Sequence, residues 1–143
     1  MPTDKFVRLI AALLLWSACS ASTLAAQKVT ITGAWRCPQT AEYPYHFEFV
    51  TETIISPNGT YSSLARSPAG ATRAAGHWRM ADGNTILFTV EDWDPKEVYI
   101  SGQGYQSRPK PPDHLDKIVA LSATSITTHN AVWGNVTCTR IRV

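Results

Sequence analysis

Cysteine is the residue type in this chain whose chemistry is easiest to anticipate. The sequence contains Cys19, Cys37 and Cys138. Cys37 and Cys138 lack the Cys-x-x-Cys spacing of a redox pair or a metal site. If the chain is exported, these two thiols reach an oxidising compartment in which a disulfide forms and persists. We therefore expect a structural disulfide between them, and closing a loop of this length stabilises a fold by up to about 4.7 kcal/mol.

Other side chains suited to catalysis or metal binding are present, but not in the patterns that such sites require. No two histidines have the i, i+2 or i, i+4 spacing of a metal-ligand pair, and no Gly-x-Ser-x-Gly nucleophile motif occurs. The acidic run Glu91-Asp92-Trp93-Asp94 lacks the glycine and the final glutamate of a calcium loop, so we interpret it as a solvated strand end. We expect no catalytic residue, no metal and no cofactor, and therefore not an enzyme.

Aromatic residues outside the core pattern are the remaining candidates for a site. Tyr43, Tyr45, Trp93 and Tyr105 all fall on predicted loops. Loop tyrosines and tryptophans can anchor a ligand or a protein partner because they bury a large area at a modest entropic cost. They can equally fill the mouth of a narrow barrel. Both interpretations stay open on the sequence.

The first 26 residues have the order of a signal peptide. Lys5 and Arg8 precede an apolar run, Leu9–Trp16, which small residues follow. The run is too short to cross a bilayer, which needs about 20 apolar residues. We expect cleavage after Ser20, Ala25 or Ala26 and one domain over residues 27–143, exported to the periplasm or beyond. The alternative is lipid attachment at Cys19.

Composition and charge narrow the range of partners. The chain is 44% apolar and 17% charged, with a net charge of +2. Loss of Lys5, Arg8 and Asp4 with the signal peptide lowers the net charge to +1. A near-neutral surface provides no electrostatic basis for binding nucleic acid or an anionic membrane. We expect a monomer without a transmembrane span, which binds neither.

The elements that must position these residues are strands, because the dominant hydrophobic period is two. Turn sequences such as Ser56-Pro-Asn-Gly59 and Asp82-Gly83 separate the alternating segments. Helical turns are expected only after Cys37 and over Asp113–Asp116. After a first strand that holds Gly33, Trp35 and Cys37 on one face, strands are expected over His46–Ile55, Thr60–Leu64, Ala74–Met80, Thr85–Val90, Glu97–Ser101, Lys117–Leu121, Ser125–Thr128 and Val136–Ile141.

So many short strands are compatible with two architectures, a closed barrel or a two-sheet sandwich. The pairing expected between the first and last strands favours the barrel. If Cys37 and Cys138 pair directly across antiparallel strands, the same register places Trp35 opposite Arg140 and Gly33 opposite Arg142. The tryptophan then gains a guanidinium over its ring, and the first strand becomes a neighbour of the last. We predict an all-β, antiparallel up-and-down barrel of about eight strands with little helix.

Gly33-Ala34-Trp35 on the first strand, with Arg140 on the last, resembles the Gly-x-Trp and terminal-strand arginine of lipocalins and their calycin relatives. The hairpin segments Ser56–Thr60, Gly76–Trp78 and Asp82–Thr85 are also similar to small bacterial lipocalin-like domains. The resemblance implies a barrel that closes in this way. A second calycin-like family, periplasmic inhibitors of metalloproteases, shares the small size, the signal peptide, the barrel and a single disulfide.

We therefore predict an exported, non-enzymatic binding protein that recognises a small apolar molecule in the barrel or an extracytoplasmic protein at its loop rim. The alternatives are an inhibitor of an extracytoplasmic hydrolase and a structural envelope lipoprotein anchored at Cys19. The predicted inward side chains are bulky, which favours a filled interior and a function at the rim. They are Trp35, Phe47, Phe49, Trp78, Met80, Phe88 and Trp133.

Overall fold

The computed structural model describes residues 29–42 and 46–143. Eight strands form a closed antiparallel barrel in the order β1-β10-β9-β8-β5-β4-β3-β2, and β6 pairs only with β7. The predicted all-β, eight-stranded barrel is confirmed. The predicted signal segment and Cys19 lie outside the described residues. The strands are β1 Gly33–Ala41, β2 Phe47–Ile55, β3 Thr60–Ser67, β4 Gly70–Met80, β5 Thr85–Asp94, β6 Glu97–Ile100, β7 Gly104–Ser107, β8 His114–Leu121, β9 Ser125–Asn130 and β10 Gly134–Ile141.

Both predicted hairpin turns are present and have a local cause. Gly59 has a φ of +85°, which is open to glycine at little cost, and its N–H donates to the Ser56 carbonyl oxygen at 3.1 Å. In the next turn the Asp82 carboxylate accepts a hydrogen bond from the Asn84 N–H at 2.9 Å. These contacts fix where β2 and β4 end and where β3 and β5 begin.

Several local predictions are wrong. The segment after Cys37 is not helical, because β1 continues to Ala41 and pairs with β2 throughout. Asp113–Asp116 is not a helical turn either, because pairing with β5 extends β8 back to His114. Residues 97–100 do form a strand, but it pairs with β7 in a separate hairpin. The prediction that Trp93 and Tyr105 lie in loops is also wrong, because Trp93 lies in β5 and Tyr105 lies in β7.

The barrel has two different ends. Residues 29–32 and the turns 56–59, 81–84 and 122–124 lie at one end, which we call the capped end. Residues 42 and 46 and the connections 68–69, 95–113 and 131–133 lie at the other, which we call the rim end. The core fills the interior toward the capped end, and its members are Ile31, Trp35, Cys37, Ile55, Tyr61, Ile86, Phe88, Ile126, Val136 and Cys138.

The predicted inward side chains are only partly in this core. Trp35 and Phe88 are buried, and Trp78 packs against the cluster half-buried. Three others are exposed, which makes their assignment to the core wrong: Phe47 is 37%, Met80 38% and Trp133 43% accessible. Each lies at or beside the end of a strand, where alternation still points a side chain inward but no further layer covers it.

Candidate functional site

The closure between the first and last strands is incomplete. β1 pairs with β10 only at Ala34–Ile141, Trp35–Arg140 and Arg36–Thr139. On its other side β1 pairs with β2 along its whole length, and β10 pairs with β9 from Gly134 onward. The barrel wall is therefore interrupted between residues 38–41 of β1 and residues 134–137 of β10. We call this interruption the seam.

The seam begins at the disulfide. Cys37 and Cys138 are bonded, and their Cα atoms are 4.2 Å apart. In an antiparallel ladder, residue pairs that exchange no backbone hydrogen bonds have Cα atoms about 4.5 Å apart, and they alternate with pairs that exchange two hydrogen bonds. Cys37 and Cys138 have the spacing of the first kind, so the next pair in the same register should exchange two hydrogen bonds. Its β1 member is Pro38, which has no N–H to donate. The predicted disulfide and its register are confirmed, and the proline explains why the ladder stops there.

Backbone polar groups face the seam from both sides. Along an antiparallel strand, alternate residues direct their N–H and C=O groups to alternate neighbours. The Arg140 N–H donates to the Thr124 carbonyl oxygen on the β9 side at 2.8 Å, so Asn135 and Thr137 direct theirs toward β1. On β1, the backbone N–H and C=O groups of Thr40 and the carbonyl of Pro38 point toward β10. No strand pairing joins these groups across the seam.

A cavity of about 400 Å³ lies along the seam. This volume is within the range of about 300–1,000 Å³ usual for ligand sites. Because consecutive side chains of a strand point to opposite faces, a lining that includes consecutive residues of β1, β2 and β10 places the cavity across the barrel wall rather than on one face of it. Its lining comprises Pro38, Gln39 and Thr40 of β1, Glu48, Phe49 and Val50 of β2, and Trp133, Asn135 and Val136 near the start of β10.

Aromatic side chains form the apolar part of this cavity. The rings of Phe49 and Trp133 meet edge to face with centroids 5.3 Å apart, and Phe47 lies 5.8 Å from Phe49. We call these three residues the aromatic patch. Val50 and Val132 beside them are exposed as well. An exposed apolar cluster of this kind at a cavity is typical of an interaction site.

The barrel interior also contains polar side chains that bond to one another, both beside Trp35 and toward the rim end. Thr51 donates to Gln39 at 2.8 Å and Thr53 donates to Ser63 at 3.2 Å. The Asn130 amide donates to the Asp116 carboxylate at 3.1 Å. Burial raises the pKa of Asp116, while His114 and the Asn130 hydrogen bond oppose that rise. These polar side chains already bond to one another, and a polar interior offers little to an apolar ligand deep in the barrel.

Tyr61 marks how tightly the interior is filled. Its ring packs edge to face on Phe88 with centroids 4.9 Å apart. Its hydroxyl is sealed from solvent and has no hydrogen-bond partner among the described residues. Burial raises the pKa of Tyr61 to about 12. A buried hydroxyl without a partner is costly, which indicates that packing rather than hydrogen bonding holds the ring in place.

Arg140 closes the capped end. Its guanidinium lies 4.2 Å from the centre of the Trp35 ring and donates to the carbonyl oxygens of Thr30, Thr32 and Ala123. The Trp35 indole donates to the Ile31 carbonyl at 2.7 Å. The arginine thus fastens residues 30–32 and the turn 122–124 across the barrel floor. The Trp35–Arg140 pair is engaged in structure and lies at the end opposite the seam.

Two of the four predicted site aromatics, Trp93 and Tyr105, lie among the described residues, in β5 and β7. Tyr43 and Tyr45 lie outside the described residues. Trp93 is half-buried and is held by its hydrogen bond to the Arg108 carbonyl oxygen at 3.3 Å and by the Lys96 ammonium 3.5 Å over its ring. Tyr105 is 75% accessible on the β6–β7 hairpin and contacts Tyr99 with ring centroids 5.5 Å apart. Both described residues are at the rim end, away from the cavity lining.

Sequence reasoning missed the seam itself. Alternation along the second strand predicts that Phe47 and Phe49 point inward, and Trp133 is predicted to point inward with them. The signal that could have revealed the site is Pro38, since a proline inside an alternating strand indicates an edge whose N–H side is unpaired. Val98, Tyr99, Ile100 and Tyr105 form a second exposed apolar surface on the hairpin, and only Tyr105 of these was singled out.

Across residues 29–42 and 46–143, no cluster of three histidine, cysteine, aspartate or glutamate side chains could hold a metal ion. In the same ranges, no helix has the length and apolar character needed to cross a membrane. The disulfide is compatible with an oxidising, extracytoplasmic location.

No protein-family model matches this chain, and no curated protein shows significant sequence similarity to it.

Proposed function

We propose that this chain is an exported, non-enzymatic binding protein that holds its partner at the rim end, with the seam and the aromatic patch as the contact surface. One observation carries the proposal: Phe49 and Trp133 line a cavity at the point where β1 and β10 stop pairing. We further propose that it is a lipocalin-like member of the calycin group, which the arrangement of Gly33, Trp35 and Arg140 supports.

The packing of the interior favours the rim over a ligand enclosed in the barrel. Toward the capped end the interior is occupied by the core, and the buried Tyr61 hydroxyl has no hydrogen-bond partner among the described residues. Toward the rim end the inward polar groups already bond to one another. An apolar partner instead finds the exposed ring of Trp133 beside the half-buried ring of Phe49, and both lose contact with water when they are covered.

The test uses an uncharged apolar fluorescent molecule, N-phenyl-1-naphthylamine, as probe and the protein labelled with nitrogen-15. We expect the probe to shift the Trp133 indole signal and the Asn135 and Val136 amides. Trp133→Ala should weaken probe binding about tenfold or more, which corresponds to about 1.4 kcal/mol. The matched control is Val119→Ala, because Val119 is an exposed apolar residue on β8. Shifts confined to Tyr99 and Tyr105, or no binding, would refute the proposal.

A hydrolase inhibitor is the second candidate, and one observation favours it. The β6–β7 hairpin pairs only with itself and exposes Tyr99 and Tyr105. A short hairpin that carries two tyrosines in edge-to-face contact has a shape suited to a partner's cleft. Inhibition of a panel of secreted proteases that is lost in Tyr105→Ala but retained in Trp133→Ala would favour this candidate over the seam.

A further inference from the structure

We infer that the seam binds an extended polypeptide segment, which adds as a strand to the free edge of β10, places an apolar side chain on the aromatic patch and a basic side chain against Glu48. This inference rests on the proposed function and specifies the class of its partner. It requires a free strand edge, an apolar subsite and an unpaired charge at one place, and the seam provides all three.

The free edge is the first requirement. Asn135 and Thr137 direct both an N–H and a C=O group toward the seam, whereas β1 offers no N–H at Pro38. Repeating donors and acceptors at the two-residue spacing of a strand match the backbone of another extended chain, which is the basis of strand addition. A small molecule cannot satisfy groups spread over residues 134–137, which extend about 13 Å at roughly 3.3 Å per residue.

The two edges of the seam are unequal, which fixes where the strand adds. Exposed sheet edges are usually protected by proline, lysine, bulges or covering elements. Pro38 protects the β1 edge in this way. On the β10 side, Asn135 and Thr137 are small, neutral and exposed, and neither hinders an incoming backbone. The β10 edge is therefore the one available for pairing.

The apolar subsite lies next to that edge. Trp133 immediately precedes β10, and its ring contacts Phe49, so a strand along Asn135–Thr137 passes over both rings. Side chains of an added strand alternate in direction. One of each two consecutive side chains can consequently reach the aromatic patch while the other points away from it. This selects a partner with apolar residues at alternate positions.

Charge gives the second element of selectivity. Glu48 lines the cavity and is exposed, and within the part of the chain that the structure describes it forms no ion pair. Its acidic neighbour Glu52 differs, because Arg36 and Arg66 bond to it and hold the pKa of its carboxyl below the usual value. The charge at the seam is thus negative, and it favours lysine or arginine in the bound segment.

The experiment uses a capped hexapeptide of alternating lysine and valine, titrated into the nitrogen-15 protein. Two N-methylated forms of the same peptide, each methylated on one edge of the extended chain, serve as a matched pair. Only one edge can pair with β10, so methylation of that edge should weaken binding more than tenfold while methylation of the other should change it less than twofold. The Asn135 and Thr137 amides should shift most. Equal binding of both methylated forms would overturn strand addition, because side chains alone would then hold the peptide.

Charge exchange gives an independent readout. Glu48→Lys should weaken binding of the lysine peptide about tenfold and improve binding of a glutamate-valine peptide. Glu97→Lys, an exposed change on β6, is the control and should alter neither. If the peptides do not bind while the uncharged fluorescent probe still shifts Trp133, the strand inference fails and the proposed function stands. If neither probe perturbs the rim end, both fail.

Discussion

Cys37 and Cys138 join β1 to β10 at the residue where the pairing of these two strands ends. From the disulfide toward the capped end the strands are paired, and toward the rim end they diverge around a cavity. Pro38 follows the bridge directly and removes the donor that the next pair would need. A covalent link at this fork stabilises the barrel while leaving the seam open.

Removing the disulfide should destabilise the protein strongly. We expect Cys37→Ser combined with Cys138→Ser to lower the free energy of unfolding by about 3–5 kcal/mol, because the bridge closes a loop that spans 101 residues. Urea unfolding monitored by tryptophan fluorescence measures the change. A loss of less than about 1 kcal/mol would mean that strand pairing alone closes the barrel.

Arg140 should be the most sensitive charged residue at the capped end. Arg140→Ala removes hydrogen bonds to three carbonyl oxygens and the cation over Trp35, and we expect a loss of about 2–4 kcal/mol. Arg140→Lys should recover only part of it, since a lysine cannot reach all three acceptors. Arg142→Ala, a change at an exposed neighbour, is the control. Equal effects of Arg140→Ala and Arg142→Ala in chemical denaturation would contradict the assigned role.

Gly33 should tolerate no side chain. Its φ is +134°, and a Cβ at this position would overlap the Arg140 guanidinium. Gly33→Ala should therefore lower the melting temperature, whereas Gly83→Ala in an open turn should change it little, because nothing lies within 4 Å of a Cβ there. Similar melting temperatures for the two variants would show that the arginine is not packed against Gly33.

Tyr61→Phe should stabilise the protein. The Tyr61 hydroxyl is buried without a partner, and removing an unsatisfied polar group recovers about 1–3 kcal/mol of desolvation. Tyr99→Phe, at an exposed site, provides the control for the loss of a hydroxyl. Differential scanning calorimetry gives the comparison. A clear drop in the stability of Tyr61→Phe would show that the hydroxyl does have a partner.

Asp116 should make stability fall with rising pH. Burial raises its pKa in the folded state, so between its ordinary value and the raised value the folded protein binds more protons than the unfolded chain, and stability decreases as pH rises through that window. Asp116→Asn removes the titration and keeps an acceptor for Asn130. The variant should exceed the parent in stability at pH 7 and approach it near pH 3. If the parent protein were instead more stable than Asp116→Asn above pH 5, the burial assigned to the Asp116 carboxyl would be contradicted.

The sequence predicts some of these features well for a physical reason. The β1–β10 register follows from two cysteines and a tryptophan–arginine pair that satisfy one alternation together. β5 extends beyond Val90 to Asp94 because β4 supplies backbone partners for these residues. The local pattern of an acidic segment does not reveal such a partner. Alternation likewise cannot distinguish an inward residue in the core, such as Phe88, from one at an uncovered end, such as Trp133. The seam depends on that distinction and on Pro38.

Amide hydrogen exchange across the seam tests the central claim most directly. Thr40, Asn135 and Thr137 direct their N–H groups into the seam, whereas Val136 and Cys138 on the same strand direct theirs to β9. We predict that Thr40, Asn135 and Thr137 exchange rapidly while Val136 and Cys138 are protected, an alternation that general fraying of β10 cannot produce. Protection of Thr40 and Thr137 equal to that of Cys138 would mean that β1 and β10 pair along their full length and leave no free edge for a partner.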